Sequence, residues 1–180
     1  MGKVNRTRAM SSLRVLSAAA LLVAMSIVCG KYLAIRGGDI LRFSFENLPI
    51  LLAGMAFGPA VGVSVAVVAD LLGCLLVGYA INPLVTLGAA AIGLLSGVLY
   101  RLLAKLPYGI RLGITVAASH FVGSAVIKTV GLAAFYSMPL WQLMLWRLLN
   151  YAIVGGLETV LLYIILKNKT IQSQLTALRR

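Results

Sequence analysis

Four ionisable side chains lie inside long apolar tracts of this sequence: Asp70, Lys128, Arg147 and Glu158. A fifth, Glu46, stands at the start of another apolar tract. An uncompensated charge is costly in a low-dielectric environment, so each of these groups must face water, an opposite charge or a ligand. The five groups therefore predict either a polar cavity or ion pairs that hold apolar segments together.

The spacing of the polar residues predicts two helix faces. One series, with steps of three and four residues, consists of Arg147, Asn150, Tyr151, Val154 and Glu158. A second series consists of Ala117, His120, Ser124, Lys128 and Gly131. Residues at such steps share one face of an α-helix, and a charged face must turn toward the inside of a bundle. The two faces are therefore expected to line one cavity.

The depth of these residues predicts where the cavity opens. Lys128, Arg147 and Asn150 fall in the outer halves of their helices, and Asp70 lies about two thirds of the way outward along its own. The same outer end holds Arg42, Glu46, Tyr136 and Trp141. We therefore expect a polar pocket with an aromatic rim that opens to the outside, and Glu158 lies deeper.

Each of these residues also has a structural explanation. Asp70 and Lys128 can neutralise each other, Glu158 can belong to an ion pair between helices, and His120 can be an interior hydrogen-bonding residue. A proton relay through Asp70, His120 and Glu158 is a further alternative. Arg42 can be a solvated loop charge, and Tyr136 and Trp141 can be anchors at the membrane interface.

The composition places these groups in a membrane protein. The 180 residues are 61% hydrophobic and 11% charged, whereas soluble domains carry roughly 25% charged residues. Apolar tracts of about 20 residues, long enough to span a bilayer, fill most of the length. This indicates an all-α integral membrane protein with small loops, and the net charge of +12 lies at tract ends rather than in a nucleic-acid-binding patch.

The sequence carries no signature of catalysis. It has one histidine, and its two cysteines, Cys29 and Cys74, lack the spacing of a metal site. It contains neither a phosphate-binding loop nor a GxSxG motif. We therefore expect no enzyme activity, metal or cofactor, and any ATP hydrolysis must come from partner subunits.

Proline positions and charge bias predict six transmembrane helices in a bundle. All five prolines fall at predicted junctions, and Gly58 with Pro59 limits the second helix to about a dozen residues. The expected helices cover 13–34, a short segment from Asn47, 60–77, a segment from Asn82 to about 101–105, 111–135, and a segment from Pro139 to 167. The expected domains are a basic tail at 1–12, a membrane domain at 13–168 and a second tail at 169–180.

The basic residues orient this bundle. Eleven fall on the side of the two termini and three, Lys31, Arg36 and Arg42, on the other. This bias predicts that both termini are cytoplasmic. On the first helix, Ser17, Ala20 and Ala24 form a small-residue face that suits close approach of another helix, either within this chain or from a partner.

Four runs of the sequence resemble one family of membrane proteins: FENLPILLAGMAFGPAVG, ADLLG with Asp70, NPLVTLGAAAIGLLSG and WRLLNY. They resemble the substrate-binding S components of energy-coupling factor (ECF) vitamin transporters, above all the folate type. The resemblance implies a six-helix bundle in a bacterial plasma membrane, with the vitamin near the outer surface. It also implies a transmembrane scaffold subunit with two cytoplasmic ATPases, contacted through small residues that Ser17, Ala20 and Ala24 match.

The resemblance assigns chemistry to the candidate residues. The glutamate tail of folate is a dianion, for which Arg147, Lys128 and Arg42 are expected partners. Its pterin edge can donate to Glu46 or Asp70, and Phe43, Tyr136 or Trp141 can stack on its ring. Asn150 and Tyr151 complete the expected site.

Two other functions stay open at this point. One is an S component for another small vitamin such as pantothenate, and the other is a proton-coupled small-molecule transporter. A membrane-embedded enzyme is a weaker third, because no nucleophile or metal cluster is evident.

Overall fold

The computed structural model describes residues 2–37, 41–137 and 139–179, with side chains from residue 13 onward except at 36, 37, 41, 42, 136, 176 and 179. Within these ranges the chain is helical apart from one short hairpin. The elements are α1 (Gly2–Ile27), the π-helical segment π1 (Val28–Tyr32), β1 (Ile35–Gly37), β2 (Leu41–Phe43), α2 (Asn47–Phe57), α3 (Pro59–Val77), α4 (Pro83–Leu102), α5 (Tyr108–Ser119), the π-helical segment π2 (His120–Lys128), α6 (Thr129–Tyr136), α7 (Leu140–Lys167) and α8 (Lys169–Arg179).

Five of the helical stretches are long and apolar enough to cross a membrane. They are Leu13–Tyr32, Pro59–Val77, Pro83–Leu102, Tyr108–Phe135 and Leu140–Lys167. The predicted short second helix is confirmed, because α2 has only 11 residues. The chain is therefore a multi-pass membrane protein of all-helical type.

The predicted punctuation by proline is also confirmed. Pro59 and Pro83 stand in the first turns of α3 and α4, and the side chain of Asn82 accepts a hydrogen bond from the Leu84 N–H at 3.0 Å. Proline tolerates these positions because the first helical N–H groups have no intrahelical acceptor. Asn47 is the first residue of α2, and its side chain does not cap the helix but turns inward.

Both terminal segments and the loop after π1 contain regular structure. The backbone of the basic N-terminal segment is helical from Gly2, and residues 169–179 of the C-terminal tail form α8. The loop after π1 contains the antiparallel strands β1 and β2, which pair Ile35 with Phe43 and Gly37 with Leu41. The hairpin leads into α2, and its strand β2 contacts α7.

Glycines allow α2, α3 and α4 to pack with their backbones in contact. A Cβ placed on Gly62 would lie 2.5 Å from the carbonyl oxygen of Gly93 and 2.8 Å from the Cα of Gly54. Such close approach is typical of helices that associate within a bilayer. Around this contact lies the apolar core, which includes Leu51, Val65, Ile92, Leu112 and Leu162, none more than 1% exposed.

The helix α2 ends in a sharp turn that leads into α3. It starts beside Glu46 and ends at Gly58, whose φ of 105° a residue with a side chain rarely adopts. The guanidinium of Arg101, from the last turn of α4, lies over Gly58. The sharp turn between α2 and α3 therefore lies at the same end of the bundle as the end of α4.

Candidate functional site

A cavity of about 200 Å³ opens at the end of the bundle where α2 begins. Five charged side chains line it: Lys31, Glu46, Asp70, Lys128 and Arg147. Three basic and two acidic groups give a formal charge of +1. Aromatic and polar residues complete the lining, among them Ser44, Tyr79, Asn82, Phe135, Asn150 and Tyr151.

Three of the charged side chains pass directly over glycine residues. Glu46 lies over Gly30, Lys31 over Gly73 and Lys128 over Gly88. A Cβ on these glycines would lie 2.8 Å from the Glu46 Cβ, 2.8 Å from the Lys31 Cε and 2.6 Å from the Lys128 Cγ, respectively. The absence of side chains on three neighbouring helical segments therefore lets the charged stems reach the cavity.

Lys128 and Glu46 form an ion pair at the cavity. The Lys128 ammonium lies 3.3 Å from Glu46 Oε1 and donates to Asn47 Oδ1 at 3.4 Å, and Lys128 is only 4% exposed. The hydroxyl of Ser26 donates to the Glu46 carbonyl oxygen at 2.7 Å, which ties α1 to the start of α2. A buried ammonium needs such compensation. The acidic group in contact with Lys128 is therefore Glu46.

Asp70 is held by a hydrogen bond from the neighbouring helix α4. Its Oδ2 accepts a hydrogen bond of 2.6 Å from the hydroxyl of Thr86 on α4. Nearby, the Lys31 ammonium lies 5.5 Å from the centre of the Tyr79 ring, within the range of a cation–π interaction. Asp70 and Lys31 thus form part of the wall of the cavity, which Arg147 and Tyr151 on α7 also line.

Arg147 is held by two oxygen atoms. Its Nη2 donates to the Tyr151 hydroxyl at 3.0 Å and to the Ser124 carbonyl oxygen at 3.4 Å. Its Nε is buried and, within the described part of the chain, has no hydrogen-bond partner. A buried donor without an acceptor is costly, so this N–H is a candidate contact for a ligand in the cavity.

The predicted face of α7 is confirmed, since Arg147, Asn150, Tyr151, Val154 and Glu158 are all buried or half-buried. The predicted face of the preceding helix is confirmed only in part. His120, Ser124, Lys128 and Gly131 are buried, but Ala117 is exposed. The reason is that π2 begins at His120, so the residues on either side of that point do not follow one α-helical repeat.

Glu158 and His120 meet below the cavity and do not line it. Glu158 Oε2 lies 2.5 Å from His120 Nε2, and the two residues are 0% and 2% exposed. Across the described ranges, no group of three His, Cys, Asp or Glu side chains is arranged to hold a metal ion. The pair needs no metal ion to be stable, because each partner compensates the other.

Some of the predicted ligand contacts lie elsewhere. Trp141 is 71% exposed and does not line the cavity, because it stands six residues before Arg147 and so faces away from it on α7. Phe43 is half-buried on β2 and is also absent from the lining. The side chains of Arg42 and Tyr136 lie outside the described part of the structure. Glu46, Asp70, Lys128, Arg147, Asn150 and Tyr151 are brought together as predicted.

Several lining residues were missed by reasoning from the sequence. Lys31 was counted only among the outer basic residues, and Asn82 and Phe135 only marked helix ends. Cys74 was considered only as a metal ligand, and Tyr79 was not a candidate. A signal was present for Lys31, because a lysine at the outer end of a span is one of few cations on that side.

The small-residue face of α1 is accessible. Ser17, Ala20 and Ala24 are all exposed, and the Ser17 hydroxyl donates to the Leu13 carbonyl oxygen of its own helix at 3.0 Å. This face is therefore not used for packing among the described helices.

Comparison with known proteins identifies the family. The model of the family "ECF transporter, substrate-specific component" matches residues 14–176. The chain belongs to this family. S components are the subunits that bind the transported substrate, so this chain is a transport subunit rather than an enzyme.

Solved structures share the fold of this S component. The crystal structure of FolT bound with folic acid aligns with a TM-score of 0.68 and 25% identity, over 82% of this chain and 89% of that one. The S component of a bacterial ECF transporter aligns with a TM-score of 0.61 and 19% identity, over 87% of this chain and 99% of that one. A search of curated proteins gives no significant match.

Proposed function

We propose that this S component captures folate outside the cell and delivers it through an ATP-driven ECF transporter. The observation that carries the proposal is the cavity with a formal charge of +1 and a buried Arg147 Nε–H that finds no acceptor among the described residues, within a fold shared with folate-bound FolT. Folate ends in a dianionic glutamate, and a guanidinium binds carboxylates with two hydrogen bonds.

The cavity suggests a role for each wall. Arg147 and Lys128 bind the ligand's carboxylates, with Arg42 as a further candidate at the mouth. Asp70 and Glu46 accept hydrogen bonds from the pterin edge. The aromatic side chains that line the cavity, Phe135 and Tyr151 among them, are better placed to stack on a flat ring than Trp141.

The cavity is small for a ligand of this length. Its volume of about 200 Å³ is below the roughly 300–1,000 Å³ of sites that enclose drug-sized ligands. Folate would therefore extend through the mouth or separate the surrounding helices as it enters. The same volume favours a second candidate, a smaller anionic vitamin such as pantothenate, bound by the same basic groups.

The proton-coupled alternative finds less support. Its three proposed relay groups divide into Asp70, which is bonded to Thr86 at the cavity, and the deeper pair of His120 and Glu158. Among the described contacts, none joins Asp70 to that pair.

The proposed topology has six membrane segments with both termini in the cytoplasm of a bacterial cell. The five long helices and α2 account for the six segments, since α2 runs from the cavity to the end of the bundle where Arg101 lies. The bias of basic residues toward the termini supports the orientation. Residues 13–168 form the membrane domain in this arrangement, and 1–12 and 169–180 lie on the cytoplasmic side.

The proposed partners are a transmembrane scaffold subunit and two cytoplasmic ATPases. The exposed face formed by Ser17, Ala20 and Ala24 suits contact with another transmembrane helix, because small residues allow close backbone approach.

Equilibrium binding to the purified chain tests the ligand. Tryptophan fluorescence of the detergent-solubilised protein is titrated with folate and, separately, with pantothenate and riboflavin, without ATP or partners. Tight binding of folate alone supports the proposal, and selective binding of pantothenate supports the second candidate. If none binds, while uptake by cells depends on a proton gradient, the folate proposal is wrong.

A further inference from the structure

A buried acid–base pair lies directly beneath the cavity and is not explained by ligand contact. His120 and Glu158 are enclosed by the bundle, and neither lines the cavity. Isolated charged or polar groups are expensive at such depth, and residues that tolerate this cost commonly serve a function. The contacts that this pair makes on its upper side, which faces the cavity, therefore indicate its role.

The upper side of His120 contacts two residues. Its ring stacks on the Tyr151 ring, with centroids 5.1 Å apart and an interplanar angle of 24°. Its Nδ1 lies 3.4 Å from the hydroxyl oxygen of Ser124. The pair with Glu158 occupies the other ring nitrogen, so the imidazole is held on both edges and on one face.

The same two residues hold Arg147. The Tyr151 hydroxyl and the Ser124 carbonyl oxygen are the two acceptors of its Nη2. His120, Tyr151, Arg147 and Ser124 thus form a closed ring of contacts, with Glu158 attached to it through His120. The lower part of this ring is fully buried and its upper part, Arg147 and Tyr151, lines the cavity.

We propose that His120 and Glu158 are positioning residues of the binding site, which fix Tyr151 and Ser124 and thereby hold Arg147 with its Nε–H directed at an anionic ligand. The inference rests on the proposed function, because the anionic ligand is the one proposed there. Glu158 restrains the imidazole through its Nε2, and the imidazole in turn restrains the Tyr151 ring and the Ser124 hydroxyl, which belong to the two residues that bind Arg147. A guanidinium held in this way loses less conformational freedom when it binds a carboxylate.

A double-mutant cycle tests the role in binding. The variants Glu158→Gln, Arg147→Gln and the double variant are titrated with folate. We expect Glu158→Gln to weaken binding about tenfold, the effect of one well-formed hydrogen bond, and to cause less than about a twofold further loss when Arg147 is already Gln. An unchanged affinity of Glu158→Gln, or equal losses in both backgrounds, would overturn the proposal.

Thr115→Val is the matched control. Thr115 is also fully buried, and its hydroxyl donates to the carbonyl oxygen of Arg111 at 2.7 Å, away from the cavity. This variant loses a buried hydrogen bond without touching the ring of contacts, so its affinity for folate should match that of the original chain.

A spectroscopic test does not depend on the ligand. The chain has one histidine, so ¹⁵N-histidine labelling reports on His120 alone. We expect Arg147→Gln and Tyr151→Phe to shift the His120 ring ¹⁵N signals, although Arg147 does not contact His120, whereas Thr115→Val leaves them in place. Signals that stay unchanged in both cavity variants would overturn the proposed coupling, even if Glu158→Gln does not fold.

The two tests separate the proposals. If the original chain does not bind folate but the His120 signals respond to Arg147→Gln, the choice of ligand is wrong and the positioning role stands. If folate binds and neither test shows coupling, the positioning role is wrong and the ligand stands.

Discussion

Arg147 combines burial, two hydrogen bonds through one nitrogen and an Nε–H with no acceptor among the described residues. This combination distinguishes it from a lysine in the same place, because a guanidinium that keeps two structural contacts through one nitrogen still offers its other N–H donors in a fixed planar fork, whereas an ammonium would have only one donor left. Lys128, by comparison, already directs its ammonium toward Glu46 and Asn47.

We predict that Arg147→Ala weakens folate binding by about 2–5 kcal/mol, the usual cost of removing one partner of a buried charge pair. Titration of the purified variant measures the loss. Arg14→Ala is the control, since Arg14 is exposed on α1 and far along the chain from the cavity. Equal affinities of the two variants would remove Arg147 from the site.

At the scale of the element, the cavity depends on glycines in neighbouring helical segments. Gly88 of α4 is the clearest case, because its missing side chain leaves room for the Lys128 stem and for the Gly123 carbonyl oxygen, each 2.6 Å from a Cβ built there. An added methyl group must move the lysine, the backbone of π2, or both. Helix packing and ligand binding are therefore coupled at this position.

We predict that Gly88→Ala weakens folate binding and lowers the thermal unfolding temperature, because overpacking a tight contact typically costs about 1–3 kcal/mol. Fluorescence titration and a thermal-shift assay measure the two effects. Gly113→Ala is the matched control: a Cβ there meets nothing within 4 Å, and alanine favours the helix by up to about 1 kcal/mol. A Gly88→Ala variant as stable and as tight-binding as the control would contradict the packing argument.

The π-helical segment π2 is a second feature at this scale. It starts at His120, in the buried pair, and ends at Lys128, in the cavity. The wider turn changes the direction of the side chains between these two residues, and π-helical turns often occur at functional sites. One irregular backbone segment thus positions both Lys128, which lines the cavity, and His120, which lies beneath it.

At the scale of the whole molecule, charge is distributed unequally between the two ends of the bundle. All four acidic residues of the chain lie from Asp39 to Glu158, and none lies in the terminal segments or in the connection between α4 and α5. The basic residues there have no acidic neighbour in sequence. This asymmetry favours one orientation in the membrane.

We predict that impermeant maleimide, applied to intact cells, labels a cysteine at Ala80 but not one at Lys105 or Gln174. These positions are exposed in the connections after α3 and α4 and on α8, respectively. The test uses a background with Cys29→Ala and Cys74→Ala, and labelling after permeabilisation is the positive control. Labelling of Lys105→Cys from outside would contradict the orientation.

Much of the fold follows from local properties of the sequence. Apolar length specifies the long helices, and Pro59, Pro83 and Asn82 mark helix starts because their preferred positions depend on backbone groups nearby in the chain. The inward face of α7 follows from helical periodicity, since a charged face cannot turn to lipid. These features required no knowledge of which helices become neighbours.

The contents of the site depended on the tertiary structure. The sequence put Lys128 and Arg147 in an outer pocket, but it could not decide that Lys128 meets Glu46 or that Asp70 meets Thr86, because these pairs join residues far apart in the chain. It also could not place Lys31 in the cavity or Trp141 outside it, since rotation of each helix is set by packing against its neighbours. Local chemistry thus determined which residues must be enclosed, and tertiary packing decided which of them meet.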